Sequence, residues 1–469
     1  MRFYNREREI ALLEELNGVK PSFLVILGRR RVGKTELIRR FIEGRRSLYL
    51  YVDDRKGKDL LLSEYSAYIR SQLELPDYIS FDSFETLFEY LLVEAGDIVV
   101  AIDEFQRFEA IDPSIVTALQ DIWDRVGRGG GAFLIASGSS MGMMHRIFLD
   151  RGAPLFKRAD NVITLKPFGM ANVFEVLDGI GVKDIGAKVD LRCLFGGMVY
   201  YYNLMERYKV KGLVAALDRL VLDDLAPLRN EVRDILVEGF GKKHATYFEI
   251  LAAIAEGRST KSDIGDVVHV KASSLSPYLN DLRDVLHLVE HSVPVLDDPR
   301  RSKKGRYVLK DNFFRFYFRF IFPNSSLYEV GAYDRLREVI DAGWGDHKGK
   351  AFEAEVRSAL SPLLSTEFSQ VGGYWDRKGT EIDLVGLNHK ARQMLLIEVK
   401  AKRLTQAKAR RVLRDLEAKI PMIPYEAKDV NLGLAALAIE GRADLEAEGH
   451  RIWELDDILE ASLGSPPNA

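Results

Sequence analysis

The feature that most constrains this chain is an octapeptide near its N-terminus, G-R-R-R-V-G-K-T at residues 28–35. It matches the phosphate-loop pattern G-x-x-x-x-G-K-[ST]. The apolar run before it, at 23–27, is typical of a buried strand, and the residues after it, at 36–41, are typical of a helix. In this setting such a loop curls its backbone N–H groups and the helix N-terminus around a phosphate. We therefore expect a nucleotide-binding site made by Gly28, Arg29, Arg30, Arg31, Val32, Gly33, Lys34 and Thr35.

Two side chains at the end of the octet have distinct tasks in a phosphate loop. Lys34 places a positive charge against the β- and γ-phosphate oxygens. The hydroxyl of Thr35 is a hard oxygen ligand of the kind that Mg²⁺ prefers, and Mg²⁺ usually binds the phosphates as well. The octet therefore predicts both a triphosphate and its magnesium ion as ligands.

Length and composition limit the remaining possibilities. The 469 residues exceed what a single core holds, so we expect roughly two to four domains. The 67 basic and 70 acidic residues leave a net charge of −3, so any nucleic-acid binding must come from local basic surfaces. The single cysteine, Cys193, excludes an internal disulfide, and the N-terminus has no apolar signal-peptide segment. Because no apolar stretch reaches about 18 residues, we expect a cytoplasmic protein that does not enter a membrane.

A second apolar run, at 98–102, ends in two adjacent carboxylates, Asp103 and Glu104. Strands inside a parallel sheet are apolar throughout, and ligands bind at their carboxyl ends. The run therefore has the form of a Walker B strand. We expect Asp103 to hold the hydrated Mg²⁺ and Glu104 to orient or deprotonate the attacking water.

A third apolar run, at 132–136, leads into Ser-Gly-Ser-Ser at 137–140. If this strand lies beside the Walker B strand, Ser139 is a candidate contact for the γ-phosphate or the water, and the alternative is an ordinary Gly/Ser turn. Farther on, Arg158 is a candidate sensor or arginine finger that stabilises charge in the transition state. The alternative for Arg158 is a solvent-exposed side chain with no part in the reaction.

Together these segments resemble the archaeal ATPase family, which belongs to the STAND-type, AAA+-related P-loop ATPases. The resemblance rests on Asn-Arg-Glu at 5–7, the phosphate loop, Ile-Asp-Glu at 102–104, Ser-Gly-Ser-Ser at 137–140 and Leu-Lys-Pro-Phe at 165–168. It implies ATP as the nucleotide, and a three-layer α/β core at residues 1–168 followed by a helical lid at 169–238. It further implies that Asn5 and Arg6 contact the adenine or the ribose.

The middle of the chain, at 239–325, predicts a winged helix-turn-helix. Short helical segments within 247–283 are followed by two strand-like runs, and the tip between those runs is basic. The candidate DNA-contacting residues of this tip are Arg300, Arg301, Lys303 and Lys304. Two readings stay open: the third helix enters a major groove while the wing touches phosphates, or the domain makes only protein contacts. The aromatic segment at 313–320 is expected to be a buried connecting helix rather than a base-stacking platform.

The C-terminal part of the chain, residues 326–462, predicts a separate α/β domain. The expected elements are a helix at about 349–364, three strands at 367–372, 381–387 and 394–399, and a helix at 404–420. The basic residues of this last helix, which either line a phosphate path or form a solvent-exposed face, are Lys408, Arg410, Arg411 and Arg414. The residues at 463–469 are expected to form a frayed tail.

Four polar residues of this domain have the order and spacing of a nuclease site. A hairpin between the second and third strands would bring Asp383 close to Glu398, and Glu398 and Lys400 share one face of their strand. Glu353, on the preceding helix, is a further candidate ligand. Carboxylates grouped in this way hold one or two divalent cations against a scissile phosphate, while a lysine stabilises charge or positions water. Glu381 shares a face with Asp383 and is a rival ligand.

The order Glu, Asp, Glu-x-Lys on these elements resembles the PD-(D/E)XK nuclease fold of archaeal Holliday junction resolvases and restriction endonucleases. The resemblance implies Mg²⁺ or Mn²⁺ at Asp383 and Glu398, with Glu353 and Lys400 completing the site. A shared fold does not by itself establish cleavage. A domain of this fold that only holds DNA or protein is therefore the alternative.

The sequence as a whole predicts an α/β chain with a P-loop parallel-sheet ATPase core, a helical lid, a winged-helix domain and a C-terminal α/β domain like a restriction endonuclease. The leading hypothesis is an ATP-binding and ATP-hydrolysing, DNA-associated protein that couples its ATPase to a metal-dependent nuclease. The competing hypothesis is an ATP-gated switch that binds DNA or protein without cutting. A homo-oligomer or a partner protein is compatible with either.

Overall fold

The computed structural model describes residues 3–126, 129–240 and 244–464, which form two compact units. The N-terminal unit comprises residues 3–167 with 284–286, and the C-terminal unit comprises the described residues of 168–283 and 287–469. Of the expected tail at 463–469, Leu463 and Gly464 end the last helix, and 465–469 lie outside the described residues. The expected boundaries at 168/169, 238/239 and 325/326 stay predictions.

The N-terminal unit is built on a five-stranded parallel sheet. Its strands are β1 (Ser22–Leu27), β2 (Ser47–Tyr51), β3 (Ile98–Asp103), β4 (Ala132–Gly138) and β5 (Asn161–Thr164). Their order is β2-β3-β4-β1-β5, with every neighbouring pair parallel. β1, β3 and β4 are buried along their whole length, which explains why their sequences are continuous apolar runs. The three strands predicted from the sequence are confirmed and lie side by side.

Helices pack on both faces of this sheet and give the unit three layers. They are α1 (Glu7–Gly18), α2 (Lys34–Ile42), α3 (Lys58–Leu73), α4 (Phe84–Glu89), α5 (Phe108–Ile111), α6 (Ser114–Val126) and α7 (Met141–Phe148). One face, with Phe23, Val25 and Leu27 of β1, joins a single apolar cluster with α3, α4, α6 and α7. The other face contacts α1 and α2, where the rings of Phe41 and Phe133 meet edge to face.

The first part of the C-terminal unit is helical. Its helices are α8 (Met170–Gly179), α9 (Ile185–Phe195), α10 (Val199–Arg207), α11 (Leu213–Ala216), α12 (Glu231–Phe240), α13 (His244–Ala255), α14 (Lys261–Val268) and α15 (Ser276–Asn280). Two antiparallel strands follow, β6 (Val289–Ser292) and β7 (Arg306–Leu309). The elements expected for a winged helix are therefore present in order, and the segment at 293–305 between the strands is called the wing below.

The aromatic segment is buried, as the sequence predicts. It forms α16 (Asn312–Phe316) and a π-helical turn at Tyr317–Ile321, followed by α17 (Ser325–Glu329). Its five phenylalanines are at most 2% exposed, so none of them forms an open surface for stacking bases: Phe313, Phe314, Phe316, Phe318 and Phe320. The segment therefore serves as a core element of the C-terminal unit.

A second five-stranded sheet dominates the rest of the C-terminal unit. Its elements are α18 (Tyr333–Leu364), β8 (Gln370–Trp375), β9 (Glu381–Asn388), β10 (Gln393–Leu404), α19 (Gln406–Glu417), β11 (Asp429–Ile439), α20 (Arg442–Ala447), β12 (Arg451–Trp453) and α21 (Leu455–Gly464). The strand order is β12-β11-β10-β9-β8; β8, β9 and β10 are antiparallel, and β10, β11 and β12 are parallel. α18 packs in one core and α19 in another.

The structure corrects two expected boundaries in this region. α18 begins at Tyr333, about sixteen residues before the predicted start. Within it Gly343 permits close packing, because a Cβ there would lie 2.6 Å from the ring of Phe320. β8 begins three residues later than predicted, because the chain after α18 continues to turn, with the N–H of Phe368 bonded to the carbonyl of Leu364. None of the helices within the described ranges is long and apolar enough to cross a lipid bilayer.

Candidate functional site

The phosphate loop joins β1 directly to α2, and its geometry requires both of its glycines. Gly33 is the N-cap of α2 and has a φ of 103°, where a side chain would be strained. A Cβ on Gly28 would approach the carbonyl oxygen of Leu165 and a methyl of Val32 to 3.0 Å. The first and last glycines of the motif thus allow the chain to turn sharply from strand into helix.

The Lys34 side chain is 5% exposed and folds back over the loop. Its ammonium donates to the carbonyl oxygens of Gly28 at 2.7 Å and Arg29 at 3.3 Å. Burial lowers the pKa of this ammonium, whereas the negative charges of Glu104 and Asp103 oppose that shift. The lysine charge is therefore within electrostatic reach of both carboxylates that follow the Walker B run.

Three hydroxyl groups converge on Asp103, the last residue of β3. The Thr35 hydroxyl donates to Oδ2 at 2.7 Å, the Tyr49 hydroxyl donates to the same oxygen, and the Ser137 hydroxyl donates to Oδ1. Burial and the negative charge of Asp103 raise the pKa of the Tyr49 hydroxyl, which keeps that group a donor. Since Mg²⁺ prefers hard oxygen ligands, the touching oxygens of Thr35 and Asp103 fit the ion expected from the sequence.

Glu104 follows β3 with a φ of 58°, a left-handed conformation that is uncommon for residues with a side chain and clusters at functional sites. Its Oε2 accepts hydrogen bonds from the Ser139 hydroxyl and from Nε2 of Gln106, both at 2.6 Å. Nε of Arg107 lies 3.8 Å from the same oxygen. Ser139 therefore lies beside the Walker B carboxylates rather than in an isolated turn.

Gly138, at the end of β4, gives Gln106 the space for this contact. A Cβ on Gly138 would lie 2.4 Å from Oε1 of Gln106 and 2.4 Å from Sδ of Met144. Gln106 is 3% exposed, and its Oε1 has no hydrogen-bond partner among the residues that the structure describes. Neither Gln106 nor Tyr49 carries a motif signal, and sequence reasoning missed both.

Of the two predicted base or ribose contacts, Arg6 is bonded within the protein. Arg6 is 7% exposed, and its guanidinium donates to the carbonyl oxygens of Lys166 at 2.8 Å and Val32 at 3.4 Å. Arg6 thus connects the N-terminal segment with the phosphate loop and with the end of the sheet. Asn5 precedes it in a left-handed conformation with a φ of 42°. Contact of either residue with adenine or ribose stays a prediction.

The other arginines proposed for nucleotide binding differ in their surroundings. Arg29 and Arg31 are half-buried, and Arg30 is exposed.

The Arg158 guanidinium donates to both carboxylate oxygens of Asp124, at 2.9 and 2.6 Å. This ion pair agrees with the alternative reading of Arg158 as a surface residue, and its role as a sensor or arginine finger stays a prediction.

The C-terminal unit brings together the carboxylates predicted there. β9 and β10 form the expected hairpin, in which Leu384 pairs with Ile397, and the same register places Asp383 opposite Glu398. Oδ2 of Asp383 accepts a hydrogen bond from the backbone N–H of Val399 at 2.7 Å. The predicted proximity of Asp383 and Glu398 is thereby confirmed.

Cationic side chains adjoin this carboxylate cluster, defined as Glu353, Asp383 and Glu398. Lys400 contacts Oε1 of Glu398 at 2.6 Å, and Lys419 contacts Oε2 at 3.3 Å. Arg357 pairs with Glu353 one helical turn before it. Sequence reasoning missed Arg357 and Lys419, although the spacing of four residues from Glu353 was a usable signal for Arg357.

Burial and mutual repulsion raise the pKa values of two carboxyl groups in the carboxylate cluster. Burial, then the charges of Glu353 and Glu398, raise the pKa of the Asp383 carboxyl to about 7. Burial also raises the pKa of Glu353, with a smaller contribution from the charge of Glu381. Glu381 itself pairs with Arg306 at 2.8 Å, so the rival ligand faces a partner of its own.

The fit of a metal to this cluster is incomplete in the present side-chain arrangement. Crowded carboxylate oxygens are suitable donors for Mg²⁺ or Mn²⁺. Across residues 3–126, 129–240 and 244–464, however, no group of three His, Cys, Asp or Glu side chains is placed to hold a metal ion. Lys400 and Lys419 occupy both oxygens of Glu398, so ion binding there requires these contacts to rearrange.

Comparison with known proteins decides the family. Residues 3–188 match the family model described as "ATPase domain predominantly from Archaea". An uncharacterized protein of Methanocaldococcus jannaschii is 32% identical over 463 residues, which cover 97% of this chain and 100% of that protein. The chain belongs to the archaeal ATPase family. Residues 317–412 of this archaeal ATPase also match a model described as "Archaea bacterial proteins of unknown function".

Two further comparisons concern the fold and a short segment. The Walker-type ATPase of Pyrococcus abyssi is 19% identical, with a TM-score of 0.51 over 68% of this chain and 96% of that chain. This likeness supports the P-loop ATPase fold of the archaeal ATPase. An uncharacterized ATP-binding protein of M. jannaschii is 44% identical over 45 residues, which are 9% of this chain and 76% of that protein.

The basic residues predicted to contact DNA divide into exposed and paired groups. On the wing, Arg300, Arg301 and Lys303 are exposed, whereas Lys304 pairs with Asp297 at 3.0 Å. On α19, the exposed residues are Lys408, Arg411 and Arg414, and Arg410 is paired with Glu448. The wing therefore presents three of its four predicted cations to solvent.

Proposed function

We propose that the archaeal ATPase binds the phosphates of ATP with residues 28–35 and hydrolyses ATP with the two carboxylates that follow β3. The observation that carries this assignment is the 2.7 Å contact of the Thr35 hydroxyl with Asp103, beside the buried ammonium of Lys34. These groups come from two separate segments, the loop with the start of α2 and the end of β3, and meet where a triphosphate on the loop would end. Lys34, which now donates to loop carbonyls, would turn its ammonium to the phosphate oxygens.

Thr35 and Asp103 would hold Mg²⁺. When bound, the ion would supply positive charge that offsets the negative charge developing on the phosphate oxygens. The hydroxyls of Tyr49 and Ser137 fix the Asp103 carboxylate, so its oxygens need little reorganisation to act as ligands or to bond a coordinated water.

Glu104 would orient the attacking water or accept its proton. Ser139 and Gln106 hold its carboxylate from two directions. Because the left-handed backbone of Glu104 and these two bonds fix one orientation, the group is prepared for its task before the nucleotide binds. Ser139 would in addition be able to reach the water or the γ-phosphate.

Two variants of the full chain test these assignments. Lys34→Ala should lose binding of ATP, and Glu104→Gln should bind ATP without turning it over. Binding is measured with a fluorescent ATP analogue and turnover by phosphate release, with Glu85→Gln, at an exposed position on α4, as the matched control. Hydrolysis at the wild-type rate by both variants would refute the assignments.

We further propose that the C-terminal unit is a nuclease-like domain that acts on DNA. The favouring observation is that Glu353, Asp383 and Glu398 converge from α18, β9 and β10, with Lys400 beside them. Asp383 and Glu398 would hold Mg²⁺ or Mn²⁺, which polarises a scissile phosphate and lowers the pKa of a bound water. Lys400 would stabilise negative charge on the phosphate.

A non-cleaving, ATP-gated regulator is the competing proposal, favoured by the contacts of Lys400 and Lys419 with both oxygens of Glu398. Branched, duplex and single-stranded DNA are incubated with the wild type in Mg²⁺ or Mn²⁺. The nuclease proposal expects cleavage that Asp383→Asn abolishes without loss of DNA affinity, while Asp429→Asn, an exposed control, cuts normally. Absence of cutting under all these conditions would favour the regulator.

A further inference from the structure

The wing is attached to the edge of the C-terminal sheet on both sides of its tip, which is defined as residues 296–303. The backbone N–H of Val295 donates to the carbonyl of Gly373 in β8 at 2.9 Å. On the other side of the tip, the carbonyl of Lys304 accepts a hydrogen bond from the Trp375 indole at 2.9 Å. Because both ends of the tip are bonded to one strand, the wing is fixed in relation to that strand.

Arg306, the first residue of β7, completes this attachment. Its guanidinium pairs with Glu381 at 2.8 Å and lies over the Trp375 ring, 4.8 Å from the ring centroid. An arginine that stacks on an indole and also pairs with a carboxylate is held more firmly than one in a simple surface ion pair. We call these contacts the wing–sheet junction.

The wing–sheet junction adjoins the carboxylate cluster. Glu381 lies two residues before Asp383 on β9 and therefore points to the same face of the strand. The negative charge of Glu381 helps to raise the pKa of the Glu353 carboxyl. The Lys419 ammonium donates to the backbone carbonyl of Glu381 at 2.8 Å and to the Glu398 carboxylate at 3.3 Å. Glu381 thus links the wing to the carboxylate cluster.

Two loops at the junction carry exposed positive charge. One is the wing tip, and the other is the turn at 376–380 that connects β8, immediately after Trp375, to β9 at Glu381. The basic strip is defined as the exposed cations of these two loops: Arg300, Arg301, Lys303, Arg377 and Lys378.

Acidic residues in the same loops are largely occupied by other contacts. Asp297 pairs with Lys304 at 3.0 Å, and Asp376 accepts the backbone N–H groups that close the turn at 376–380. Asp298 accepts backbone N–H groups in the wing and lies 4.0 Å from the Arg301 side chain. The acidic residues therefore shape the loops, while the basic strip faces solvent.

The surroundings of the basic strip favour duplex over single-stranded DNA. Proteins that bind single strands without sequence preference stack the bases on accessible aromatic side chains. Near the strip, Tyr307, Tyr374 and Trp375 are at most 8% exposed, so they do not offer such a platform. A charged strip without a stacking surface matches the phosphate backbone of a duplex.

We propose that the wing tip and the turn at 376–380 bind the same DNA duplex as one rigid surface, which leads the duplex backbone to the carboxylate cluster. This inference rests on the proposed association with DNA, but not on cleavage. It requires that residues of the C-terminal sheet, Arg377 and Lys378, contact the same duplex as the wing. A wing that binds DNA alone would not involve them.

The test measures how duplex affinity depends on salt in the full chain. Each phosphate contact contributes about 0.9 to the slope of log K against log salt for a duplex. Arg300→Ala/Arg301→Ala/Lys303→Ala should therefore lower the magnitude of the slope by roughly 2 to 3, and Arg377→Ala/Lys378→Ala by roughly 1 to 2. The control, Arg207→Ala/Lys211→Ala, removes two exposed cations from the helical part of the same unit and should leave the slope unchanged.

Three results would overturn the inference, and they separate it from the proposed function. If only the wing variant changes the slope, the wing binds DNA by itself and the common surface is refuted, while DNA association stands. Equal affinity for a single strand of the same length would refute the assignment to duplex. If the wild type binds no DNA at low salt, the proposed DNA association fails, and this inference fails with it. A variant that is unfolded by circular dichroism is replaced by the corresponding Gln variant.

Discussion

Replacing Gln106 by leucine should separate the stability of the N-terminal unit from its activity. The Gln106 amide makes one strong contact, from Nε2 to the Glu104 carboxylate at 2.6 Å, while its Oε1 is buried without a partner among the described residues. Leucine has a similar size and removes both features. The two effects of this substitution on folding have opposite signs.

The size of each effect follows from the hydrogen bond that Nε2 of Gln106 makes and from the partner that its Oε1 lacks among the described residues. A hydrogen bond to a charged acceptor contributes about 1.5–3 kcal/mol, and a buried polar atom without a partner costs about 1–3 kcal/mol. The free energy of unfolding of Gln106→Leu should therefore lie within about 2 kcal/mol of the wild-type value. Glu104 loses one of the two hydrogen bonds that orient it, and if that bond acts fully in the transition state, kcat falls by about 10- to 150-fold.

Phosphate release gives kcat, a fluorescent ATP analogue gives the Kd, and urea denaturation gives the free energy of unfolding. The matched control is Gln72→Leu, at an exposed position on α3, which should leave all three quantities unchanged. A kcat for Gln106→Leu within about twofold of the wild type would refute the positioning role. A loss of stability greater than about 3 kcal/mol would show that removing the buried Oε1 does not offset the lost hydrogen bond of Nε2.

Three other substitutions test separate parts of the account. Gly138→Ala should lower kcat in the same direction as Gln106→Leu, because its Cβ would lie 2.4 Å from Oε1 of Gln106; wild-type phosphate release would show that the amide is not displaced. Glu355→Gln should destabilise the C-terminal unit by about 3–5 kcal/mol in urea, because it leaves the charge of Arg192, which is 7% exposed and now 2.7 Å from Glu355, unneutralised. The double variant with Arg192→Met should recover most of that loss, and equal destabilisation of the two would contradict the explanation. Arg158→Ala should leave ATP hydrolysis within about twofold of the wild type, since its guanidinium already pairs with an aspartate; a much larger fall would support the finger or sensor role.

The main features of the N-terminal unit could be predicted because they depend on local patterns. The phosphate loop predicts a strand before it and a helix after it, and beside that motif the apolar run before Asp103 indicates a buried strand. Polar groups at the carboxyl ends of parallel strands lie at one edge of the sheet, and in the structure β3, β4 and β1 are side by side. Ser139 and Glu104 meet for this reason, although 35 residues separate them in the sequence.

Other residues of this site could not be predicted from the sequence. Tyr49 lies two residues before the end of β2 and reaches Asp103 only because β2 and β3 are neighbours. Gln106 contacts Glu104 only because the backbone at Glu104 is left-handed and Gly138 lacks a side chain. Such contacts depend on the tertiary geometry at one or two positions, so neither hydrophobic periodicity nor a sequence motif predicts them.

The C-terminal unit shows the same division. Alternation along β9 and β10 and the short turn between them predict the approach of Asp383 to Glu398, because a hairpin fixes its own register. The cations Lys419 and Arg306 come from elements other than β9 and β10, so their contacts with Glu398 and Glu381 were not foreseen. The early start of α18 was not predicted; glycine is unfavourable inside helices, and close packing against Phe320 accounts for Gly343.

The claim on which the account depends most is that residues 28–35 bind a triphosphate together with Mg²⁺. Isothermal titration of the full chain with a slowly hydrolysed ATP analogue in the presence of Mg²⁺ tests it directly. The account predicts saturable uptake by the wild type, loss of uptake in Lys34→Ala, and weaker, less Mg²⁺-dependent uptake in Thr35→Val. No uptake by the wild type, or equal uptake by Lys34→Ala, would contradict it.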